Sequence, residues 1–142
     1  MRYFKEKNEG FTIMEIMLVI IIIAALTAMA APNFIGQGER AKRRVAEADV
    51  NANIPTALKL YELDNGVFPT TEQGLSALWT KPSSSPVPTN WNGPYLDQKP
   101  KDPWGNAYIY ASPGVNHPFF DLSSQGRDME SDEDNITNWK DE

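Results

Sequence analysis

The sequence contains no cysteine and only one histidine, and these two shortages exclude several kinds of site. Without cysteine the chain has no disulfide, no thiolate metal site and no cysteine nucleophile. His117 stands beside Pro118, and a catalytic triad or a zinc site would have to be built around this one imidazole. We therefore interpret His117 as a loop residue. No clustered nucleophile or base predicts an enzyme.

Positive charge is also in short supply. The chain has 13 Lys and Arg residues against 19 Asp and Glu residues, a formal net charge of −6 at pH 7. Such a chain is a poor partner for nucleic acid, because the phosphates would be repelled. The basic side chains concentrate in residues 39–44, where they could meet lipid phosphates. The acidic ones concentrate near the C-terminus.

Residues 11–31 form a long hydrophobic run in which Glu15 is the only charged side chain. At roughly 1.5 Å per residue a helix of this length spans about 30 Å, the thickness of a bilayer's hydrocarbon core. The run predicts a transmembrane helix, preceded by a polar leader at residues 1–10. An ionisable group in such a segment costs roughly 2.5–3.5 kcal/mol, so Glu15 is expected to have a partner. A cleaved secretory signal peptide is the alternative, but its hydrophobic region is normally shorter and lacks an acid.

Apolar residues continue at helical spacing beyond the run and predict an amphipathic continuation of the long helix over residues 32–66. Pro55 removes a backbone donor in its middle, which predicts a bend or break over residues 51–54. Gly66 is expected to end the helix as a left-handed cap. The positions assigned to the apolar face are Ala41, Val45, Ala48, Ala52, Ala57, Leu58, Tyr61 and Leu63.

Residues 67–142 are predicted to form a small α/β region. Thr70 or Thr71 can cap a short helix, and the Pro- and Ser-rich residues 81–92 indicate a surface loop. The resulting order predicts an α+β fold, with the long N-terminal helix packed on a small antiparallel sheet. The segments predicted to be paired strands are residues 107–111 and 119–124, and residues 136–139 are expected to close the domain.

Several motifs resemble a known family. The short leader ending in Gly10-Phe11, with Glu15 close behind, resembles the class III signal of type IV pilins and pseudopilins. Three further motifs, in this order, are similar to those of the major pseudopilins of type II secretion systems, and with them the resemblance covers residues 10–139. They are Phe68-Pro-Thr-Thr-Glu-Gln-Gly-Leu-Ser-Ala-Leu78, Asp102-Pro-Trp-Gly-Asn-Ala-Tyr108 and, after an acidic loop, Ile136-Thr-Asn-Trp139.

The resemblance implies a pilin-like fold and a structural role in the periplasmic pseudopilus that drives protein export. A prepilin peptidase would cut between Gly10 and Phe11 and methylate the new amine of Phe11. The Glu15 carboxylate would pair with the Phe11 amine of a neighbouring copy in a homo-oligomeric helical filament. Minor pseudopilins and an inner-membrane assembly platform are the other implied partners.

The same resemblance implies a single-pass inner-membrane protein with a cytoplasmic N-terminus and a periplasmic C-terminal domain. Counting basic residues on the two sides of the run slightly favours the opposite orientation, so the orientation rests on the processing signal.

The acidic loop, residues 125–135, carries five carboxylates within residues 128–134. A dense set of hard oxygen donors suits Ca²⁺, although a solvated acidic loop is the alternative from composition alone. The spacing is not that of an EF-hand loop. The resemblance implies one calcium ion, with Asn135 as a further candidate ligand. The implied ligands are the side chains of Asp128, Asp132 and Asp134 and the backbone carbonyls of Gln125 and Ile136.

Two other functions stay open at this point. One is a type IV pilin or a minor pseudopilin, although pilins often close their C-terminal loop with a disulfide and this chain has no cysteine. The other is a membrane-anchored calcium-binding module that never assembles.

Overall fold

The computed structural model of the chain describes residues 10–139, and of residues 30–35 only the backbone. Residues 1–9 of the predicted leader lie outside the described residues. The predicted α+β fold is confirmed, with a π-helical turn (Asp49–Asn53) between the two α-helices and 3-10 helices at Gly74–Leu78 and Asp132–Asp134. In chain order, the helices and strands are α1 (Ile13–Ala48), α2 (Ile54–Asn65), β1 (Ile109–Ala111), β2 (Asp121–Ser124) and β3 (Ile136–Thr137).

The chain divides into two compact units, Met1–Glu39 and Arg40–Glu142. In the first unit, α1 begins at Ile13 and continues to the end of the unit, so nearly all of its described residues are helical. Over residues 10–139, the helices do not combine the length and the apolar character needed to cross a bilayer. The transmembrane helix predicted for residues 11–31 stays a prediction.

In the second unit, the helical residues that enter the core differ in part from those predicted. Ala41, Val45, Ala48, Ala52 and Leu63 are exposed, so their assignment to the buried face was wrong. The buried residues Ala46, Val50, Ile54 and Leu58 form a row in which each follows the last by four residues. This spacing exceeds the 3.6 residues of an α-helical turn, so on a regular helix the row would drift away from one face. The wider π-helical turn offsets that drift and keeps the row facing the core. The buried helical residues are Ala46, Val50, Ile54, Ala57, Leu58 and Tyr61.

The break predicted near Pro55 is confirmed. The regular α-helical pattern ends at Ala48, and the N–H of Ile54 bonds to the carbonyl of Asp49, five residues earlier. Pro55 then lies in the first turn of α2, where a missing backbone donor costs little. At the other end of α2, Gly66 adopts φ 79° and its N–H bonds to the Glu62 carbonyl, which confirms the left-handed cap.

The three strands form one antiparallel sheet in the order β1-β2-β3. Tyr110 pairs with Leu122, and Ser124 pairs with Ile136, so β2 is the central strand. β1 and β2 are shorter than predicted, because Ala107 forms an isolated bridge with Lys101 and Phe119 and Phe120 precede the paired residues of β2. β3 lies in the segment that was expected to close the domain. The sheet contributes Tyr110, Leu122 and Ile136 to the core, and Tyr108 and Phe120 join them from the residues just before β1 and β2.

A reciprocal cap holds the segment that follows α2. The Gln73 N–H donates to the Thr70 hydroxyl at 3.2 Å, and the Thr70 N–H donates to Gln73 Oε1 at 3.1 Å. The buried Gln73 amide nitrogen also donates to the carbonyls of Ser84 and Pro86. Because of these bonds, Gln73 fixes both the short 3-10 helix and the Pro- and Ser-rich loop.

Candidate functional site

The predicted processing and assembly residues lie at the start of α1. Gly10, Phe11 and Glu15 are all exposed, and the Phe11 side chain is 80% accessible. The Glu15 N–H donates to the Thr12 hydroxyl at 3.2 Å, so Thr12 caps the helix. Glu15 therefore stands in the first turn, where the helix dipole favours a carboxylate. Sequence reasoning missed this cap, although Thr12-Ile-Met-Glu15 is a capping-box pattern.

The first unit exposes apolar side chains around the described part of its helix. Large apolar side chains between Phe11 and Met29 are 46–83% accessible. Exposed apolar area of this extent marks an interaction with lipid or with other protein. A helix that is apolar on every side needs such a cover, because it has no polar face to turn toward water.

The backbone brings the two ends of the acidic loop together. Ser124 and Ile136 pair across β2 and β3, directly outside the loop. Inside it, Gly126 adopts φ 69°, and a Cβ placed there would lie 2.5 Å from the Asp134 carbonyl oxygen. The loop is thus closed by a backbone contact that only glycine allows.

The carboxylates of the loop do not converge. Within residues 10–139, no three His, Cys, Asp or Glu side chains come close enough together to hold a metal ion. Asp128 Oδ1 accepts from the Glu130 N–H at 3.0 Å, and Asp132 Oδ1 accepts from the Asn135 amide at 3.0 Å. Asp134 is half-buried in the last 3-10 helix.

The oxygen-rich character of the loop fits Ca²⁺, but the present side-chain arrangement is not a formed coordination shell. The carbonyls of Gln125 and Ile136 belong to the closed backbone ends, whereas the three aspartates would have to turn toward a common point. The implied ligand set stays a prediction.

Asp102 and Ser124 are buried polar residues that sequence reasoning did not single out for a site. Asp102 is 4% accessible and Ser124 is fully buried. The Ser124 hydroxyl donates to Asp102 Oδ2 at 2.8 Å. Asp102 opens the Asp-Pro-Trp-Gly turn, and the turn motif was the available signal. No sequence pattern predicts that Asp102 contacts Ser124 at the end of β2, because the two residues are 22 positions apart.

The single histidine lies in a loop, as predicted. The His117 N–H donates to Asp121 Oδ1 at 2.8 Å. Burial alone would raise the pKa of Asp121, but N–H donors from Asn116, His117 and Val115 outweigh it and lower that pKa. Asp121 therefore organises the loop before β2 as an anionic acceptor.

Comparison with known proteins identifies the family. The family described as "Type II secretion system (T2SS), protein G" matches residues 33–139. The chain is 43% identical over 139 residues to the type II secretion system core protein G of Pseudomonas aeruginosa, covering 95% of this chain and 97% of that relative. It is 44% identical over 136 residues to the corresponding Escherichia coli protein, covering 94% of this chain and 92% of the relative.

The fold leads to the same family. The crystal structure of the major pseudopilin from the type 2 secretion system of enterohaemorrhagic Escherichia coli matches with a TM-score of 0.64 and 36% identity. The match covers 74% of this chain and 88% of that structure. The chain therefore belongs to the protein G family of type II secretion systems, the major pseudopilins.

Proposed function

We propose that the chain is a processed, membrane-anchored building block of the type II secretion pseudopilus, assembled through its N-terminal helix. Membership of the major pseudopilins makes it a structural subunit, and the proposal concerns how that subunit is anchored and joined. The observation that carries it is the exposed apolar helix at Ile13–Met29 with a single carboxylate, Glu15, in its first turn. No catalytic step is assigned to the chain.

Charge neutralisation supports the joining step. A carboxylate taken into lipid or into a helix bundle carries several kcal/mol of desolvation unless it is paired. Cleavage after Gly10 would create an amine on Phe11, and such an amine on a neighbouring copy is a suitable counter-ion for Glu15. Pairing between copies that are offset along the filament would set their axial register. Methylation of the amine would keep its positive charge.

The proposal places the N-terminus in the cytoplasm, the helix in the inner membrane and the C-terminal domain in the periplasm. The prepilin peptidase, minor pseudopilins and an inner-membrane assembly platform are its proposed partners. Mass spectrometry of the native protein tests processing directly. We expect the mature chain to begin at methylated Phe11, and a chain that still begins at Met1 while the secretion system is working would contradict the proposal.

Two variants separate charge pairing from helix capping. Glu15→Gln keeps a residue that can complete a capping box but removes the charge, whereas Thr12→Ala removes the cap and keeps the carboxylate. We expect Glu15→Gln to enter the membrane yet fail to form filaments or cross-linked ladders. Thr12→Ala should assemble. Normal assembly of Glu15→Gln would contradict charge pairing as the joining step. An unmodified chain that enters the membrane but forms no filaments would favour the calcium-binding module that never assembles.

We also propose that the acidic loop binds one calcium ion. Its oxygen ligands would be drawn from the side chains of Asp128, Asp132, Asp134 and Asn135 and from the backbone carbonyls of Gln125 and Ile136. The support is the carboxylate density and the closed backbone of the loop. Binding would relieve the mutual repulsion of the acids, so the folded state should gain stability.

Calcium binding is tested on the full chain in detergent by calorimetric titration and by thermal unfolding. We expect calcium to raise the unfolding temperature by several degrees and a chelator to reverse it, with magnesium much less effective. Asp128→Asn and Asp134→Asn should weaken binding. Glu133→Gln removes one charge from the same loop outside the ligand set and should bind nearly normally. If Glu133→Gln weakens calcium binding as much as Asp128→Asn and Asp134→Asn do, the loop attracts calcium only through its overall negative charge.

A further inference from the structure

A buried carboxylate holds the turn that precedes β1. Asp102 Oδ1 accepts from the backbone N–H groups of Trp104 at 3.1 Å and Asn106 at 2.7 Å. Its second oxygen, Oδ2, accepts from the hydroxyl of Ser124 at 2.8 Å. At 4% accessibility, each of these bonds replaces water that the carboxylate has lost.

The Ser124 hydroxyl uses both of its hydrogen-bonding capacities. It donates to Asp102, and it accepts from the N–H of Gly126 at 3.1 Å. Ser124 is fully buried at the end of β2, so bulk solvent does not reach either bond. A hydroxyl is the small side chain that can serve as donor and acceptor at once.

Gly126 is the residue at which the acidic loop is closed. Its backbone touches Asp134, with no room for a Cβ between them. The hydrogen bonds of Asp102, Ser124 and Gly126 therefore run from the Asp-Pro-Trp-Gly turn to the first end of the acidic loop, and the close approach of Gly126 to Asp134 continues to its other end. Partners separated by 22 residues in sequence are joined through one hydroxyl.

We propose that Asp102 and Ser124 are positioning residues that fix the backbone at the entrance of the acidic loop. They hold Gly126 against Asp134, and with it the direction of the Gln125 carbonyl. The consequence for cation binding rests on the proposed calcium site. The consequence for the loop backbone does not, so the two can be measured separately.

The backbone consequence is tested by hydrogen exchange on the full chain in detergent with a calcium chelator. In Ser124→Ala, peptides covering residues 125–135 should exchange about five to ten times faster, the factor expected from losing one or two buried hydrogen bonds. Ser123→Ala is the matched control. Ser123 is on the same strand and half-buried, and over residues 10–139 its side chain makes no hydrogen bond. Equal exchange in the two variants would overturn the proposal.

The cation consequence is tested by calcium titration of the same proteins. Loss of a residue that positions ligands typically weakens metal affinity by about ten times or more. We expect that loss in Ser124→Ala and not in Ser123→Ala. If the unmodified chain binds no calcium while Ser124→Ala still loosens the loop, the calcium site fails and the positioning role stands.

Two further variants keep the test decisive if Ser124→Ala does not fold. Asp102→Asn preserves size but turns one acceptor into a donor, so the Ser124 hydroxyl loses the partner for its proton. Asp102→Asn should therefore speed hydrogen exchange over residues 125–135, as is expected of Ser124→Ala. Ser124→Thr keeps the hydroxyl, and residues 125–135 should exchange about as slowly in it as in the unmodified chain. Wild-type exchange in Asp102→Asn would count against the proposal.

Discussion

The hydroxyl of Tyr108 donates a 2.8 Å hydrogen bond to Oδ2 of Asp49, joining the segment before β1 to the π-helical turn. Asp49 Oδ1 is held in turn by the Asn53 amide at 2.7 Å. Burial raises the pKa of Tyr108, and the hydrogen bond and the negative charge of Asp49 raise it further. The phenol thus stays protonated and keeps donating at neutral pH and up to the ordinary tyrosine pKa of 10.0.

Breaking this bond should destabilise the second unit. Tyr108→Phe removes the donor while keeping the ring, and the loss of a bond to a charged acceptor is worth about 1.5–3 kcal/mol. Chemical denaturation of Tyr108→Phe, Asp49→Asn and the double variant measures it as a mutant cycle. We expect a coupling free energy above about 0.5 kcal/mol between the two positions. Strict additivity would mean that the bond contributes nothing to stability.

Asp121 should make stability dependent on pH in the acidic range. Its pKa in the folded protein lies below the ordinary value of 3.8, because backbone N–H donors favour the anion. The stability it contributes is present above that ordinary value and is lost as pH falls through the lowered pKa of the folded state. At pH 7, Asp121→Asn should reduce the free energy of unfolding by about 2–3 kcal/mol.

The difference between Asp121→Asn and the unmodified chain should shrink as pH falls below about 4. Denaturation curves recorded from pH 7 to pH 2.5 measure it. Asp97→Asn, which changes an exposed carboxylate, is the control and should show little difference at any pH. A gap for Asp121→Asn that stays constant across this range would contradict ionisation as its source.

Two glycines in the helical region should respond to alanine in opposite directions. Gly66 has φ 79°, which alanine adopts poorly, so Gly66→Ala should cost about 1 kcal/mol. Gly38 lies inside α1 with open space around it, and alanine there should gain about 0.5–1 kcal/mol of helix propensity. Thermal unfolding of the two variants checks the signs. A stabilising Gly66→Ala would argue against the left-handed cap.

Structural features that depend on a few neighbouring residues were predicted correctly. Gly66 after Asn65 and Pro55 inside a helical pattern each carry a local rule about backbone geometry, and both appear as expected. Of the two candidate caps, Thr70 and Thr71, Thr70 is the one whose hydroxyl accepts from the Gln73 N–H. The segments of β1 and β2 were also recognised, because their apolar residues and flanking turns are local signals, whereas the two-residue strand β3 was not predicted as a strand. The starts of β1 and β2 were placed too early, since the residues just before them, such as Tyr108, share the composition of strands.

Features that depend on tertiary geometry were not predictable. The buried row Ala46, Val50 and Ile54 requires a π-helical turn, and a search at a fixed helical period assigns Val45 and Ala48 to the core instead. The contact between Asp102 and Ser124 joins residues far apart in sequence. Recognition of the family came from motifs in series, whereas periodicity alone gave only the fold class.

Gly126→Ala should distinguish steric closure of the acidic loop from the general cost of a positive φ. Gly126 and Gly105 both have positive φ, 69° and 94°, but only at Gly126 would a Cβ meet the backbone, 2.5 Å from the Asp134 oxygen. Each alanine pays a conformational penalty of about 1 kcal/mol. The clash adds to it at position 126, because the Asp134 backbone must move away.

We therefore expect Gly126→Ala to lower the free energy of unfolding more than Gly105→Ala does. Gly126→Ala should also speed hydrogen exchange over residues 125–135, while Gly105→Ala leaves that segment unchanged. Denaturation and exchange measured on the two full-length variants provide the comparison. Equal stability losses with no local change in exchange would show that the loop is held by its strands alone, and that the Gly126–Asp134 contact does not close it.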